Sequence, residues 1–487
     1  MQQFIKSLMN RAILLLIMAF NFNSAFAQHL PIVVSYPPPR GEVLSNQYLI
    51  LVAGHIIPVY LAKIGCADDK QRFKAVDDLL HSAEYFDIAS FAYFDLKGSV
   101  KVSISISDTV KTLKILPSGS VAGIVKHLHS VSFTVNKPNN LTIEINGEWV
   151  KSLHLFVDPL DKDIPNPKDT NVIFYGPGIH YVSNVVVGSN KIVYISGGAI
   201  IRSIIGKDEK FGIEPSGLKN YEPRFFLKGN HITLRGRGII DAGDCPVHAG
   251  NFIMIKGSDI KIEGVIIRNS CGWTVPVRQS DHVLIDNIKI LGYRANSDGV
   301  DICNSSNVTV KNSFVRTNDD LIVIKSEKGE GIVNHINVNH CILFNQLANA
   351  LSIGAELREN VSDVVFSDCE IIHDQSRAWS FKIFQGDSSV VSNVKFQDIR
   401  VEEAHQFISL WIGHDISSYN NKAGNIRNVL FKNITANGYP LNIDIVGQGI
   451  TSRVENVFFQ NITTNHLPLS RNNVKNNLYV KNISVTP

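Results

Sequence analysis

The chain has 487 residues, of which 44% are hydrophobic and 19% charged, so it can bury a large core in one to three domains. A formal net charge of +3, without a basic cluster anywhere along the chain, argues against a nucleic-acid binder. Asn and β-branched residues recur throughout, and this composition favours β structure.

The N-terminus has the pattern of a cleaved secretory leader. Lys6 and Arg11 precede an apolar run over residues 12–20, and residues 25–27 (Ala-Phe-Ala) form a small-x-small cleavage site. The alternative is an anchor helix, but the apolar run is short for a bilayer. We therefore expect residues 1–27 to be a signal peptide, and the mature protein to be secreted or periplasmic without membrane contact.

The next segment, residues 28–165, has no repeat. Alternating runs over residues 100–106 and 141–145 predict strands, and only residues 68–85 have a helical pattern. The segment predicts a β-rich, sandwich-like domain. Pro and Asp residues then cluster over residues 158–167, and this composition indicates a linker.

From residue 230 onward, a unit of polar, Val/Ile, x, apolar recurs every 23 to 35 residues. Periods in this range are typical of a solenoid. Each copy alternates with period two, so it is a strand with one buried face. Stacking the coils buries these faces and places the backbones of neighbouring coils about 4.8 Å apart. We predict an all-β chain in which residues 166–487 form a right-handed parallel β-helix. The nine copies begin at His231, Asp259, His282, Asn307, His335, Asp363, Asn393, Asn428 and Asn456.

The six cysteines have no CxxC or other metal-ligand spacing. Secretion permits disulfides, but cysteines in a β-helix often serve as small buried apolar residues, and this interpretation suits most of the six. We expect no metal and no cofactor. The cysteines are Cys66, Cys245, Cys271, Cys303, Cys341 and Cys369.

Two acidic motifs, Asn-Ser-Asp-Gly-Val-Asp and Asn-Asp-Asp-Leu-Ile-Val-Ile-Lys, lie one coil apart. Matching their apolar alternation pairs Val300 with Ile322, which stacks Asp298 on Asp320, 22 residues later, with Asp319 beside them. Repulsion among three carboxylates raises at least one pKa, as a general acid requires. Glycosidic hydrolysis needs such an acid and a second carboxylate that activates water. Either motif alone is more simply explained as turn residues, but the two in register favour catalysis.

This constellation resembles the polygalacturonases of glycoside hydrolase family 28. The sister dextranase family, glycoside hydrolase family 49, shares the β-helix, the three-aspartate pattern and an N-terminal β-sandwich. The resemblance covers residues 170–400 well and the N-terminal domain loosely. The matching segments are Arg235–Asp241 (G-x-G-x-I-D-G), Trp273–Val277 (W-T-x-x-P), Asn296–Asp298 (Asn-Thr-Asp), Asn318–Asp320 (Gly-Asp-Asp) and Lys325–Ser326 (I-K-S).

The resemblance implies a secreted glycosidase that cleaves α-linked bonds in a pectin- or dextran-type polysaccharide with inversion. By this resemblance Asp319 is the general acid, and Asp298 and Asp320 hold the attacking water. The departures concern the substrate. Asn349 stands where the polygalacturonases have the histidine of Gly-His-Gly. Their Arg-Ile-Lys motif falls on residues 382–384, so Lys382 keeps one cation and a phenylalanine replaces the other. Because those cations hold the galacturonate carboxylate in the family, we expect a neutral or decorated α-glycan instead.

Other residues are candidates for contact with the polysaccharide. Lys325 is placed either to bond a sugar hydroxyl or to pair with Asp301, and Lys382 is either a subsite residue or an exposed, solvated lysine. Flat aromatic faces suit sugars, although packing is the more common role of a single tryptophan. We also expect Glu356 near the cleft. The candidate platforms are Trp273, Trp379 and Trp411.

Two other functions fit part of the pattern. In a polysaccharide lyase of the same architecture, the aspartates would bind Ca²⁺, but no basic residue is expected beside them to act as the base. A non-catalytic glycan-binding β-helix would explain the lost histidine, whereas the presence of all three aspartates argues against it. In each case the partner is a polysaccharide, and we expect a monomer.

Overall fold

The computed structural model describes residues 30–214, 217–415, 418–419 and 422–487. The predicted signal peptide therefore lies outside the described residues. Within the described ranges, no helix has both the length and the apolar character needed to cross a bilayer.

The N-terminal domain is a β-sandwich with one short helix, α1 (Asp69–Asp77), followed by a 3₁₀ turn (Leu79–Glu84). Its strands are β1 (Ile32–Val34), β2 (Tyr48–Val52), β3 (His55–Ile57), β4 (Val59–Ile64), β5 (Asp87–Lys97), β6 (Val100–Ile106), β7 (Leu113–Leu116), β8 (Ala122–His127), β9 (Ser130–Val135), β10 (Asn139–Ile145) and β11 (Glu148–Asp158). One sheet has the order β1-β5-β11-β10-β7 with β4 on β5, and the other has the order β3-β2-β6-β9-β8. The apolar residues of β6 are buried between the sheets while Lys101 and Ser105 are exposed, as its alternation predicts.

The second domain is a parallel β-helix whose coils stack in one continuous 27-stranded sheet. Its first part contains β12 (Val172–Tyr175), β13 (Gly178–Val182), β14 (Val185–Val187), β15 (Ile192–Ile195), β16 (Ala199–Ser203), β17 (Phe211–Ile213), β18 (Lys219–Tyr221), β19 (Phe225–Gly236), β20 (Ile239–Asp241), β21 (Ile253–Glu263), β22 (Ile266–Arg268), β23 (Val275–Arg278), β24 (Asp281–Asp286), β25 (Lys289–Leu291) and β26 (Val300–Cys303). Outside this sheet, β17 and β18 form an antiparallel hairpin between two coils.

The remaining coils continue the same stack to the end of the chain. They contain β27 (Ser306–Lys311), β28 (Phe314–Thr317), β29 (Ile322–Ser326), β30 (Val333–Asn339), β31 (Ile342–Asn345), β32 (Asn349–Leu357), β33 (Val361–Ser367), β34 (Glu370–Gln385), β35 (Val390–Ile412), β36 (Asn425–Val446), β37 (Val454–Thr464), β38 (Leu467–Pro468), a 3₁₀ turn (Arg471–Asn473), β39 (Lys475–Asn476) and β40 (Val480–Thr486). The predicted fold class, a right-handed parallel β-helix after a sandwich-like domain, is confirmed.

All nine sequence repeats lie in register, because the second residue of each copy pairs with the second residue of the next. These paired second residues form a column along the β-helix, and the column has a tenth member that the repeat pattern did not predict. The polar first residue of each copy has a left-handed φ between +52° and +59°, a conformation that Asn, Asp and His adopt more readily than other side chains. The column is Ile232, Ile260, Val283, Val308, Ile336, Val364, Val394, Val429, Val457 and Ile483.

The sandwich packs against one face of the β-helix through a shared apolar cluster. Tyr60, Phe91 and Phe156 of the sandwich belong to this cluster. A column from successive coils meets them, namely Ile200, Ile239, Ile266, Leu291, Phe314, Ile342, Phe344 and Ile372. The face that carries the acidic motifs remains open. All six cysteines are buried and unpaired, in line with their interpretation as small core residues.

Candidate active site

The three aspartates lie on neighbouring coils just before strands β26 and β29. The register pairs Val300 with Ile322, as the apolar alternation predicts, so Asp298 stacks on Asp320. Between them the main-chain N–H of Gly299 donates to the carbonyl of Asp320 at 2.8 Å. A Cβ at Gly299 would lie 2.3 Å from the carbonyl oxygen of Leu321, so this close approach of the coils requires glycine.

Asp319 is half-buried, and both of its carboxylate oxygens accept main-chain hydrogen bonds. The N–H of Asn296 donates to Oδ2 at 3.0 Å, and the N–H of Asp320 donates to Oδ1 at 2.9 Å. Burial, followed by the charges of Asp298 and Asp320, raises the pKa of Asp319 well above its ordinary value. Repulsion among the carboxylates therefore contributes as predicted from the sequence, but desolvation is the larger cause.

Asp320 is buried and is held by the next coil. Its Oδ1 accepts from the main-chain N–H of Asn349 at 2.9 Å and from the Asn349 side-chain amide at 2.6 Å. Burial and the charge of Asp298 raise the pKa of Asp320 to about 6, while Lys325 and Lys382 partly offset the rise. The residue that replaces the family histidine is therefore bonded to an acid of the cluster.

Asp298 is paired with Lys325, whose Nζ lies 2.9 Å from Asp298 Oδ2 and 2.9 Å from Asp301 Oδ1. Of the two roles predicted for Lys325, pairing with Asp301 is present and is shared with Asp298. Burial alone would lower the pKa of Lys325, but the charges of Asp298 and Asp301 outweigh burial and raise it. The same ammonium lies 3.8 Å from the ring centroid of Trp273, so it covers one face of this predicted platform.

The acids open into a cleft made of three connected recesses. The central recess, of about 240 Å³, is lined by Asp298, Asp319 and Asp320. A recess of about 300 Å³ on the N-terminal side shares Trp273 and Asn296 with it. A recess of about 420 Å³ on the C-terminal side shares Asn349 and Lys382. A larger cavity of about 790 Å³ lies between the two domains and contains none of the three acids, so the chemistry points to the smaller cleft.

The predicted polysaccharide-contact residues gather along this cleft. Lys325, Lys382, Asn349 and Trp273 line the central recess with the acids, and so does Glu356. Lys382 is half-buried, unlike the exposed lysine of the alternative interpretation.

The other two predicted platforms differ in their surroundings. Trp379 lines the C-terminal recess beside Lys382. Trp411 stacks on Phe384 at a centroid distance of 4.4 Å, so one face of its indole is already covered by packing.

Several further cleft residues were not identified from the sequence. Four of them are His248, Glu214 and Arg278, which line the N-terminal recess, and Arg377, which lines the C-terminal one. None of the four lies in an acidic motif or a repeat strand with a recognisable spacing. The one indication of Glu214 was the long insertion between two coils that contains the β17–β18 hairpin.

Lys325 is a basic residue in direct contact with the acid cluster, at Asp298. From the sequence we expected no basic residue beside the aspartates that could act as the base of a lyase. A lyase base must release its proton, and the raised pKa of Lys325 keeps this ammonium charged. Oxygen atoms of Asp298, Asp319 and Asp320 lie within 4.8 Å of one another, so this trio could hold a metal ion.

The chain thus combines a parallel β-helix with three stacked aspartates in an open cleft. The family model described as glycosyl hydrolases family 28 matches residues 240–476, which confirms the resemblance read from the motifs. The chain is therefore polygalacturonase-like within this segment.

The curated relatives match only part of the chain. "Probable endopolygalacturonase D" of Neosartorya fischeri is 28% identical over 180 residues, which cover 37% of this chain and 34% of the relative. An exopolygalacturonase of Rhizopus delemar is 24% identical over 239 residues, which cover 45% and 61%. The chain thus spans about a third of the length of the endopolygalacturonases D that it matches.

Two solved structures share the fold at low sequence identity. An exopolygalacturonase from Thermotoga maritima matches with a TM-score of 0.52 and 19% identity, over 60% of this chain and 79% of the other. Dex49A from Penicillium minioluteum matches with a TM-score of 0.59 and 13% identity, over 90% and 92%. The second match is too long for the β-helix alone, so the likeness in fold extends into the N-terminal sandwich.

Proposed function

We propose that this protein is a secreted glycoside hydrolase that cleaves α-linked bonds within a polysaccharide and inverts the anomeric centre. The observation that carries the proposal is a set of three carboxylates, Asp298, Asp319 and Asp320, with oxygens within 4.8 Å of one another in an open cleft. The predicted leader at residues 1–27 supports secretion.

The surroundings of the three acids support different roles for them. Burial and the neighbouring charges raise the pKa of Asp319 well above its ordinary value, which favours the protonated form that a donor to the leaving oxygen requires. Asp298 faces an ammonium, and Asp320 has a pKa of about 6. Asp320 is therefore a carboxylate near neutral pH, and Asp298 lies beside it to hold the same water molecule. This division of labour agrees with the roles implied by the family resemblance.

The spacing of the acids bears on inversion. Most inverting glycosidases separate their two carboxyl groups by roughly 6.5–9.5 Å to admit a water. In this cluster, one oxygen of each acid lies within 4.8 Å of one oxygen of each of the other two. A water molecule between Asp298 and Asp320 would donate one hydrogen bond of about 2.8 Å to each carboxylate. Two oxygens up to 4.8 Å apart leave room for both bonds. We therefore propose that the water lies between these two carboxylates and attacks from there.

The substrate proposal rests on the cations of the cleft. The ammonium of Lys325 is already paired with Asp298 and Asp301. Phe384, which stands where the polygalacturonases have a lysine, packs on Trp411. Lys382 and Arg377 are then the cations nearest to the C-terminal recess. We propose an α-glycan that carries few carboxylates or has them masked by substituents, and poor action on bare polygalacturonate.

A panel of unsubstituted polygalacturonate, substituted pectic polymers, dextran and other α-glycans tests the proposal. We expect faster release of reducing ends from another α-glycan than from polygalacturonate, and proton NMR should show the inverted anomer as the first product. Efficient cleavage of bare polygalacturonate would refute the substrate proposal. First release of the retained anomer would refute the inverting mechanism.

A polysaccharide lyase is the second candidate, because the three acids could also hold Ca²⁺. A lyase yields unsaturated products that absorb in the ultraviolet, and its activity depends on calcium. The same panel therefore separates the two reactions when it is run with and without a chelator. A glycan-binding protein without activity would bind a member of the panel and release no product.

A further inference from the structure

The orientation of Asp319 depends on the position of Asn296. The Asn296 N–H donates to Asp319 Oδ2 at 3.0 Å and the Asp320 N–H to Oδ1 at 2.9 Å, so two main-chain donors fix the plane of the carboxyl group. Asp320 belongs to the same loop as Asp319, whereas Asn296 belongs to the preceding coil. Its φ of +52° is left-handed, a conformation that Asn tolerates better than most residues but that still costs free energy.

The side chain of Asn296 is held by His248. Nε2 of the imidazole lies 2.9 Å from Asn296 Oδ1, and Nδ1 lies 3.2 Å from Glu214 Oε2. Either ring tautomer can bond Asn296, since a carboxamide presents both an acceptor and a donor. Side-chain exposure is 17% for His248 and 28% for Glu214, so both groups are partly shielded from competing water.

These contacts join three separate parts of the fold. Glu214 follows strand β17 of the hairpin, His248 lies between β20 and β21, and Asn296 directly precedes the Asp298 loop. Hydrogen bonds on the side chain and on the main-chain N–H of Asn296 therefore connect the hairpin to the carboxyl group of Asp319 through this one residue. Neither His248 nor Glu214 contacts any of the three acids directly in the hydrogen bonds of the described residues.

We propose that His248, held by Glu214, is a positioning residue that keeps the main-chain N–H of Asn296 on Asp319 and so orients the general acid for proton transfer. The inference rests on the proposed glycosidase function. His248 also lines the N-terminal recess, so a role in sugar binding or a purely structural role must be distinguished from positioning.

The test uses three substitutions. His248→Asn keeps a residue that tolerates the φ of +54°, but its short side chain cannot reach Asn296. His248→Gln restores a longer amide that can reach it. His335→Asn is the matched control, because His335 also has a φ of +54°, is exposed and lies on another face of the β-helix. Melting temperatures of all three show whether the coil remains folded.

Two substrates separate positioning from binding. One is the best polysaccharide of the panel, and the other is a nitrophenyl glycoside of the same sugar, whose leaving group departs without protonation. Because general acids contribute about 10²–10⁴-fold, we expect His248→Asn to lower kcat on the polysaccharide about 10–10²-fold with KM nearly unchanged. The nitrophenyl glycoside should be cleaved at nearly the wild-type rate, His248→Gln should recover most of the loss, and His335→Asn should match wild type.

A substrate-independent measurement completes the test. A hydrogen bond to the ionised carboxylate favours that form, so losing the Asn296 donor should raise the midpoint of the Asp319 carboxyl titration, followed by carbon-13 NMR. The proposal is overturned by an unchanged midpoint in His248→Asn, by a rise in KM alone, or by equal losses on both substrates. If wild type cleaves no member of the panel while the midpoint still shifts, the glycosidase function fails and the positioning stands.

Discussion

At the scale of single residues, Asp319 carries the sharpest prediction. Replacing Asp319 by Asn removes the proton that the leaving oxygen requires, and we expect turnover to fall about 10²–10⁴-fold. The carboxamide has one acceptor oxygen for the two N–H donors that now face Asp319, so some loss of melting temperature is expected as well. The measurement is kcat on the best substrate, with the melting temperature as the folding control.

The neighbouring acids provide the comparison for this variant. Asp298→Asn and Asp320→Asn should also be severe, because each leaves the attacking water with one carboxylate. The three acids share one charge cluster, so the effects in double variants should be smaller than the sum of the single effects. Near-normal turnover in Asp319→Asn would remove Asp319 from the acid role and favour the lyase or the binding protein.

The raised pKa of Asp320 predicts how activity and stability change with pH. Activity should rise as the pH passes through about 6, where Asp320 becomes the carboxylate that holds water. Stability should change in the opposite sense. A carboxyl whose pKa is higher in the folded than in the unfolded chain stabilises the fold below the unfolded value, and this contribution is lost as the pH rises through about 6.

The variant Asp320→Asn tests this sign directly, since its amide oxygen can still accept from Asn349. We expect it to melt at a higher temperature than wild type at pH 7–8 and to show little difference near pH 4. Melting curves of both proteins across this range provide the measurement. A variant that is less stable than wild type at pH 8 would show that the ionised Asp320 is not destabilising in this cluster.

At the scale of elements, the coils were predictable because each repeat carries its own signal. The period-two alternation in every copy determines which side chains point inward, and the polar first residue marks a position with left-handed φ. The register of Val300 on Ile322 follows from the same alternation, so the stacking of Asp298 on Asp320 could be predicted from the sequence alone.

The contacts of His248 could not be predicted in this way. They depend on how the β17–β18 hairpin folds back over the cleft, and Glu214 is 34 residues from His248, with no period that relates the two. The role of Lys325 was similarly open, because the sequence allowed it either to bond a sugar hydroxyl or to pair with Asp301. Loops and side-chain directions are set by tertiary packing, which a repeat pattern does not encode.

At the scale of the whole molecule, buried charges join the two domains. Lys289 of the β-helix and Asp158 of the sandwich form an ion pair with both side chains at most 1% exposed, and Arg237 donates to Asp95 at 2.8 Å. The partners are 131 and 142 residues apart. The composition of residues 158–167 predicts a linker between two domains, but no pattern in the sequence indicates a charged, buried interface between them.

The Lys289–Asp158 pair gives a prediction about this interface. Lys289 Nζ also donates to the carbonyl and the side-chain oxygen of Asn287, each at 3.0 Å. With Asp158, three protein oxygens therefore accept hydrogen bonds from the ammonium. Burial lowers the pKa of Lys289, and the charge of Asp158 offsets part of this effect. Removing one partner of a buried pair leaves the other charge unpaired, which typically costs about 3–5 kcal/mol.

We therefore expect Lys289→Met to lower the stability strongly, because it leaves the Asp158 carboxylate buried without its cation. The double variant Lys289→Met/Asp158→Asn removes both charges, and it should be more stable than Lys289→Met alone because apolar or neutral replacements of a buried pair are often tolerated. Unfolding of wild type, both single variants and the double variant completes a double-mutant cycle. If the double variant is no more stable than Lys289→Met, Lys289 and Asp158 do not act as a unit at this interface.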